Sequence, residues 1–129
     1  MRDENLTLIK RGYEAFAKGD FDFIREMSAP DCVWHTPGYG PFKPDYKSPE
    51  GVIEYFTSLF ELSDGTFKSE PEAFFADDER VVVLDHSTGT RKGKILNTYM
   101  IHMFRVRGGK VVETTTFASE PKRNEEFWA

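Results

Sequence analysis

The 129-residue chain has one cysteine, Cys32, and no long hydrophobic run. A single thiol excludes an internal disulfide and a cysteine-rich zinc site. The longest aliphatic run, residues 81–84, is far too short to span a bilayer. The first residues also lack the apolar stretch of a signal peptide, so we expect a cytoplasmic protein with no membrane partner.

The chain is also short of positive charge. It has 17 Lys and Arg residues against 22 Asp and Glu residues, a net charge of -5. Because nucleic-acid binders normally carry a basic face, this balance argues against a nucleic-acid partner. No histidine or cysteine pair has metal-ligand spacing, and no glycine-rich phosphate loop opens a helix. We therefore expect neither a metal nor another cofactor.

Aromatic residues, in contrast, are plentiful. They make up 15% of the chain, with 12 Phe among them, which is enough for a core and for the lining of an apolar cavity. The hydrophobic and charged fractions, 39% and 30%, lie in the globular range. The length predicts a single domain over residues 1–129.

Helical periodicity dominates the first part of the chain. Apolar residues over 6–17 recur at helical spacing, and Gly19 stands where that helix would end. Asp20 can cap a second, shorter helix, which Pro30 ends.

A short strand is predicted over residues 32–36, and a loop rich in Pro and Gly follows over 37–49. Ser48 followed by Pro49 is a good start for a third amphipathic helix, which closes near Gly65. The loop carries three aromatic rings that suit either a lid over a cavity or a contact with a partner subunit: Tyr39, Phe42 and Tyr46.

The periodicity then changes from helical to extended. Turn residues separate four predicted strands, over residues 67–76, 80–90, 95–106 and 110–118. Helices and strands that are segregated along the chain indicate the α+β class. We predict a cone-shaped α+β barrel, in which three N-terminal helices pack on a strongly curved antiparallel sheet that encloses a pocket.

Three segments carry a family resemblance. They are Tyr13-x-x-Phe16-x-x-Gly19-Asp20, Asp31-x-Val33-Trp34-His35-x-Pro37-Gly38 and His102-x-Phe104-Arg105-Val106-x-x-Gly109-Lys110-Val111-x-Glu113. Their order and spacing resemble the SnoaL-like and ketosteroid-isomerase-like branch of the nuclear transport factor 2-like superfamily. The resemblance implies the same cone fold. It also implies one of several activities, because the superfamily contains cofactor-free isomerases, cyclases, epoxide hydrolases, dehydratases and binding-only proteins.

The resemblance also implies that two expected carboxylates are missing. The aspartate base of ketosteroid isomerases matches Thr36, and the acid–base aspartate of SnoaL-type cyclases matches Thr116. A threonine hydroxyl is too weakly acidic to replace either carboxylate at neutral pH. Neither family mechanism therefore transfers intact, although the histidine of the cyclases matches His102.

His102 is the best single catalytic candidate. It shares a strand face with Met100 and Phe104 by alternation. A three-residue loop at residues 107–109 pairs His102 with Thr114, and a two-residue loop pairs it with Thr115; we prefer the first register. Two interpretations stay open: a general base with a pKa near neutrality, and a neutral histidine satisfied by a threonine hydroxyl.

Asp85 and His86 are neighbours on a strand, so their side chains point to opposite faces and form no simple dyad. Asp85 is a candidate base only if its face is the cavity, and we favour a solvated strand residue. By the same alternation, His35 points away from the cavity if Trp34 and Thr36 face it.

These observations lead to two main hypotheses of different classes, beside a weaker third one in which the domain serves only for dimerisation or as a scaffold. The protein binds a small, largely apolar, ring-containing molecule and performs cofactor-free acid–base chemistry on it, or it binds such a molecule without reaction. We also expect a homodimer through the outer sheet face. The catalytic candidate is His102, and the predicted ligand-binding residues are Tyr13, Phe16, Trp34, Thr36, Phe56, Phe60, His86, Met100, Phe104, Thr114 and Thr116.

Overall fold

Four helices and six strands form the protein, and the computed structural model describes residues 1–129. No helix is both long enough and apolar enough to cross a membrane. In chain order the elements are α1 (Arg2–Lys18), α2 (Phe21–Met27), β1 (Ser28–His35), β2 (Asp45–Lys47), α3 (Ser48–Leu62), β3 (Lys68–Ala76), β4 (Arg80–Arg91), β5 (Lys94–Arg107), β6 (Lys110–Ala118) and α4 (Pro121–Trp128).

The boundary between α1 and α2 follows from local chemistry. Gly19 ends α1 with φ 69°, a left-handed conformation that glycine adopts without steric cost. The Asp20 side chain then accepts a hydrogen bond from the Phe23 amide and caps α2. Helix α2 ends at Met27, three residues earlier than predicted, because Pro30 lies inside β1 rather than at the helix end.

The third helix begins at the predicted Ser48 and Pro49. The Ser48 hydroxyl accepts a hydrogen bond from the Gly51 amide at 3.3 Å, and Pro49 occupies the first turn, where no amide hydrogen is needed. The helix ends at Leu62, just before the turn that contains Gly65.

Three parts of the prediction need correction. Strand β1 covers residues 28–35, so Thr36 lies beyond its end. The loop over 37–49 contains the short strand β2, which pairs Tyr46 with Trp34. A fourth helix, α4, follows the last strand; its Pro121 stands in the first turn and its buried Phe127 and Trp128 join the core.

The six strands form one curved sheet in the order β2-β1-β6-β5-β4-β3. Strands β3 to β6 form the predicted antiparallel meander. The sheet as a whole is mixed, because β1 pairs in parallel with β6. Its edges, β2 and β3, do not meet, so the cone is an open, strongly curved sheet and not a closed barrel.

The register of β5 and β6 differs from both predicted registers. Gly108 and Gly109 form a two-residue turn, and an irregularity follows between Arg105 and Val106. A bulge adds one residue to β6 and shifts the later pairs. His102 consequently lies opposite Thr116, and Phe104 lies opposite Thr114. The preferred prediction had the correct face of β6 but a partner two residues away.

Helices α1 and α3 cover the concave face of the sheet. Phe16 of α1 packs against Phe56 and Phe60 of α3, with ring centroids 4.9 Å apart in both pairs. Val81 and Val83 of β4 are fully buried beneath the helices. Burial of so many rings supplies most of the apolar area on which the fold depends.

Candidate functional site

An internal cavity of about 100 Å³ lies between α1, α3 and the concave face of the sheet. Most of the residues around it are hydrophobic, and none is Lys, Arg, Asp or Glu. His102 lines it, as do most of the predicted ligand-binding residues: Tyr13, Phe16, Trp34, Phe56, Met100, Phe104 and Thr114. Most of the predicted site residues therefore lie at the cavity, although they form only part of its wall.

Two predicted ligand-binding residues lie away from the cavity. Thr36 follows β1, and its hydroxyl donates to the Lys43 carbonyl at 2.6 Å, because the strand ends one residue before it. His86 lies on the outer face, stacked on Tyr99 with centroids 4.8 Å apart. Strand alternation places His86 there, opposite to Asp85 as predicted.

The other two lie behind the cavity wall. Phe60 packs against Phe16 from the side of α3 and does not reach the cavity. Thr116 is buried, and its hydroxyl lies between His102 and Trp34, both of which do line the cavity. Thr116 is therefore positioned to orient lining residues rather than to touch a ligand.

His102 forms a buried pair with Asp85. His102 Nε2 lies 3.1 Å from Asp85 Oδ2, and the two side chains are 12% and 0% exposed. The favoured interpretation of Asp85 as a solvated residue is therefore wrong. Its face follows from the turn at Lys92 and Gly93, where Arg91 pairs with Lys94 and alternation turns Asp85 inward.

Three donors converge on the Asp85 carboxylate. Ser69 donates to Oδ2 from β3, Ser87 donates to Oδ1 at 3.2 Å from β4, and His102 contacts Oδ2 from β5. Ionised carboxylates accept hydrogen bonds and donate none, so this surrounding suits the anion. Ser69 and Ser87 also line the cavity, which makes this wall its polar side.

The hydrogen bonds run in one direction across four strands. Trp34 Nε1 can only donate, and it donates to Thr116 Oγ1 at 2.8 Å. Thr116 Oγ1 lies 2.9 Å from His102 Nδ1, so its own hydrogen is free to donate to that nitrogen. His102 then donates from Nε2 to Asp85. If Asp85 is ionised, every donor and acceptor from Trp34 to Asp85 has a hydrogen-bond partner when His102 is neutral and carries its hydrogen on Nε2.

Tyr13 places an unpaired hydroxyl at the cavity. Its ring contacts Phe104 and Phe74 edge to face, and it lies 6.5 Å from the His102 ring between centroids. The hydroxyl is buried and has no hydrogen-bond partner in the protein. Burial, and secondly the charge of Asp85, raises the pKa of Tyr13, so it remains a protonated donor.

The aromatic loop before α3 is packed and not open. Phe42 lies 4.9 Å from Trp128 and 5.5 Å from Tyr55 between ring centroids. Tyr46 stacks on Tyr55 at 4.9 Å. Phe42 and Tyr46 therefore belong to the core, where they pack against Tyr55 and Trp128 of the cavity wall.

His35 lies outside the cavity, as its alternation with Trp34 predicts. Its Nδ1 is 2.6 Å from an Asp45 oxygen and its Nε2 is 2.8 Å from a Glu113 oxygen. The hydrogen bond to Asp45, followed by the one to Glu113, raises the pKa of His35. The group links three strands, β2, β1 and β6, on the outer face.

A family model described as a SnoaL-like domain matches residues 9–114. The chain belongs to the SnoaL-like family. Its cone fold is that of solved NTF2-like proteins such as one from Burkholderia pseudomallei, which has a TM-score of 0.81 at 21% identity over 98% of both chains.

Individual relatives support this assignment. An uncharacterized protein of Mycobacterium tuberculosis, Rv0034, is 27% identical over 98% of both chains. The structure of Bal32a, from a soil-derived mobile gene cassette, superimposes with a TM-score of 0.95 at 28% identity, covering 99% of this chain and 98% of that one. TerC, co-crystallized with polyporic acid, has a TM-score of 0.85 at 20% identity over 97% and 98% of the chains, a likeness of fold alone.

In this SnoaL-like chain, the carboxylate of the polar wall comes from β4 and not from either threonine position. Sequence reasoning left Asp85 on the wrong face because the length of its turn was open. The sequence did contain a signal, because glycine at position 93 suits the second position of a two-residue hairpin turn. In the structure, Lys92 and Gly93 both have the positive φ that such a turn requires, 50° and 77°. That turn length alone would have fixed the face of Asp85.

Proposed function

We propose that the protein binds a small, largely apolar, ring-containing molecule in the cavity and performs cofactor-free acid–base chemistry on it. The reaction is of the isomerase, cyclase, dehydratase or hydrolase type, and His102 paired with Asp85 handles the proton. One observation carries the proposal: a buried imidazole–carboxylate pair lies at a largely apolar cavity, with His102 in its wall and Asp85 directly behind that wall.

The energetics of burial support a functional role for this pair. Removing a carboxylate from water costs several kcal/mol, and replacement of buried ion pairs by apolar residues is often neutral or stabilising. A fold with this many aromatic rings gains little stability from Asp85 and His102. Buried titratable groups beside a cavity are, for that reason, typical of functional sites.

The chemical roles follow from the hydrogen bonds. Asp85 holds the Nε2 hydrogen of His102, so Nδ1 is the basic nitrogen. Because the Thr116 hydroxyl lies 2.9 Å from Nδ1, a ligand can transfer a proton to that nitrogen only when the hydroxyl is displaced from it, and Asp85 then stabilises the imidazolium that forms. The free hydroxyl of Tyr13 is placed to donate to an oxygen of the same ligand.

The volume of the cavity limits the size of the ligand that can be buried in it. That volume is about 100 Å³. Pockets for drug-sized ligands begin at about 300 Å³. We therefore expect one small ring inside, beside Trp34 and Phe104, whose rings stand edge to face at 5.7 Å.

Deuterium exchange of cyclohexanone in D2O tests the proposal, because exchange next to the carbonyl requires a base and an oxygen-binding donor. We expect the protein to accelerate exchange over buffer, and His102→Ala to remove at least tenfold of that acceleration, since general acid–base catalysis contributes about 10²–10⁴. His86→Ala, on the outer face, is the matched control and should keep the full rate. No acceleration by the unmodified protein would contradict the chemical part of the proposal.

A binding-only function is the second candidate. The observation that favours it is that both ring nitrogens of His102 are hydrogen-bonded inside the protein, so no base is presented to a ligand at rest. Chemical-shift changes at Trp34 and Tyr13 on addition of cyclohexanone, without deuterium exchange, would support this alternative over the enzyme.

We also propose that a second copy of the chain covers the outer face of the sheet. Phe75 and Phe117 are 63% and 50% exposed there, at the margins of an apolar band completed by Leu84 and Ile101. The exposed Arg105 lies at one end of the band and the exposed Glu70 lies toward the other. A two-fold axis through the band brings these opposite charges together across the interface.

Sedimentation velocity tests this interface. We expect the unmodified protein to be a dimer and Phe117→Lys to be a folded monomer, because the substitution buries an unpaired charge. Thr7→Lys, on the exposed surface of α1, adds the same charge elsewhere and should leave the dimer intact. A monomeric unmodified protein would overturn the proposed interface.

A further inference from the structure

We infer that the cavity selects electrically neutral ligands and excludes anions of the same shape. The inference rests on the proposed function, since it concerns the ligand of the same cavity. It rests on the distribution of charge around the cavity: one carboxylate lies directly behind the wall, and no cationic side chain lines it.

The negative charge is close to the cavity on its polar side. Asp85 is fully buried, and the three side chains that hold it, Ser69, Ser87 and His102, all line the cavity. Each of these partners gives its hydrogen to Asp85 and offers only weak positive potential to a ligand. In the arrangement where every hydrogen-bonding group from Trp34 to Asp85 has a partner, His102 is neutral and does not cancel the negative charge of Asp85.

Two cations of the β4–β5 hairpin, Arg91 and Lys94, are committed elsewhere. Arg91 donates to the carbonyls of Leu62 and Ala129, and Lys94 donates to the carbonyls of Glu126 and Ala129. The contact to Leu62 is at the C-terminal end of α3 and the others are at the C-terminal end of α4, where positive charge is favourable. Neither side chain lines the cavity, so an anion inside it would have no ion-pair partner.

The field of Asp85 reaches across the cavity. Tyr13 of α1 and Tyr55 of α3 both line it, and burial is the main cause of the raised pKa of each. The charge of Asp85 contributes to both rises, after the contribution of Tyr46 in the case of Tyr55. A ligand between these tyrosines and Asp85 experiences the same negative potential, which penalises an anionic ligand as it penalises a tyrosinate.

The ligand also needs an acceptor, because the Tyr13 hydroxyl is a buried donor with none. A carbonyl or ether oxygen on a ring satisfies it without adding charge. A carboxylate would satisfy it too, but at the cost of losing its hydration next to Asp85. The two requirements together describe a neutral ring that carries an oxygen acceptor.

Benzamide and benzoate form a matched pair of probes, because they share ring, shape and carbonyl and differ in charge at pH 7. We expect the dissociation constant of benzamide, measured by NMR titration of the full chain, to be at least tenfold lower than that of benzoate. In Asp85→Asn the ratio should fall by at least threefold. Asp45→Asn removes one carboxylate from the outer face and is the control; its ratio should stay at the unmodified value.

Each outcome separates this inference from the proposed function. Equal affinity for both probes in the unmodified protein would overturn charge selection and leave ring binding intact. A ratio that persists in folded Asp85→Asn would overturn the role of Asp85. Failure of both probes to bind would overturn the proposed function itself, and this inference with it. If Asp85→Asn does not fold, the ratio of the two dissociation constants in the unmodified protein still tests charge selection.

Discussion

Two histidines on opposite faces of the same sheet have opposite surroundings. His102 lies inside, 12% exposed, between a carboxylate and a threonine hydroxyl. His35 lies outside, 36% exposed, between two carboxylates. Because a carboxylate only accepts hydrogen bonds, His35 needs a hydrogen on both nitrogens, whereas His102 needs only one.

The difference shows how the neighbours of a histidine set its charge. The outer group carries an imidazolium and joins strands β1, β2 and β6 as an ion-pair cluster that water partly screens. The inner group satisfies a ring that carries a single hydrogen, on Nε2, and offers a hydroxyl to Nδ1. The first arrangement is suited to stabilising the fold and the second to moving a proton.

The largest expected effect comes from removing the buried carboxylate. Asp85→Ala leaves the donors of Ser69, Ser87 and His102 unpaired, so we expect a loss of about 3–5 kcal/mol in the free energy of unfolding. Asp45→Ala, at the half-exposed outer cluster, should cost about 1 kcal/mol or less. Urea denaturation of the two variants measures both values, and similar losses would contradict the contrast.

A smaller effect is expected at Thr116. Thr116→Val preserves the shape but removes the hydroxyl that accepts from Trp34 and donates to His102. Two buried polar groups lose a partner, at about 1–3 kcal/mol in all. The matched control is Thr115→Val, since Thr115 is the neighbour on the outer face. In histidine 15N spectra, the resonance of His102 Nδ1 should shift only in the first variant; an unchanged Nδ1 resonance in Thr116→Val would contradict the proposed hydrogen bond from Thr116.

The smallest effect should depend on pH. The raised pKa of His35 means that its stabilisation is full below the unfolded-state value of about 6.5 and is lost as pH rises through the folded-state value. The difference in unfolding free energy between the unmodified protein and His35→Gln should therefore shrink from pH 6 to pH 9. His86→Gln serves as the comparison, and a His35→Gln difference that is constant with pH would refute the ion-pair cluster.

Much of the fold was predictable because its signals are local. Gly19 ends α1, Asp20 caps the start of α2, and turns that contain Asp or Gly separate the four meander strands. Strand β2 has only three residues inside a loop rich in Pro and Gly, so it carries no periodicity, and its existence depends on pairing with β1. Helix α4 forms where Phe127 and Trp128 reach the core, a contact that is tertiary.

The site was predictable only as far as alternation allows. His102, Met100 and Phe104 were placed on the cavity side by the period of two residues. The face of Asp85 depends on the length of a turn, and the partner of His102 depends on a bulge. Both are one-residue effects, and a shift of one residue exchanges the faces of a strand.

The irregularity opposite Arg105 has a consequence for reading related chains. Val106 pairs with Val111 and Arg105 with Glu113, so Val112 has no partner, and every later residue of β6 changes side relative to an uninterrupted count from the glycine turn. A homologue one residue shorter at this point would present the same wall with a regular ladder. The number of residues between the glycine turn and the threonines of β6 can therefore differ by one between related chains. Alignments should be anchored on the residues that pair across β5 and β6, not on their distance from the turn.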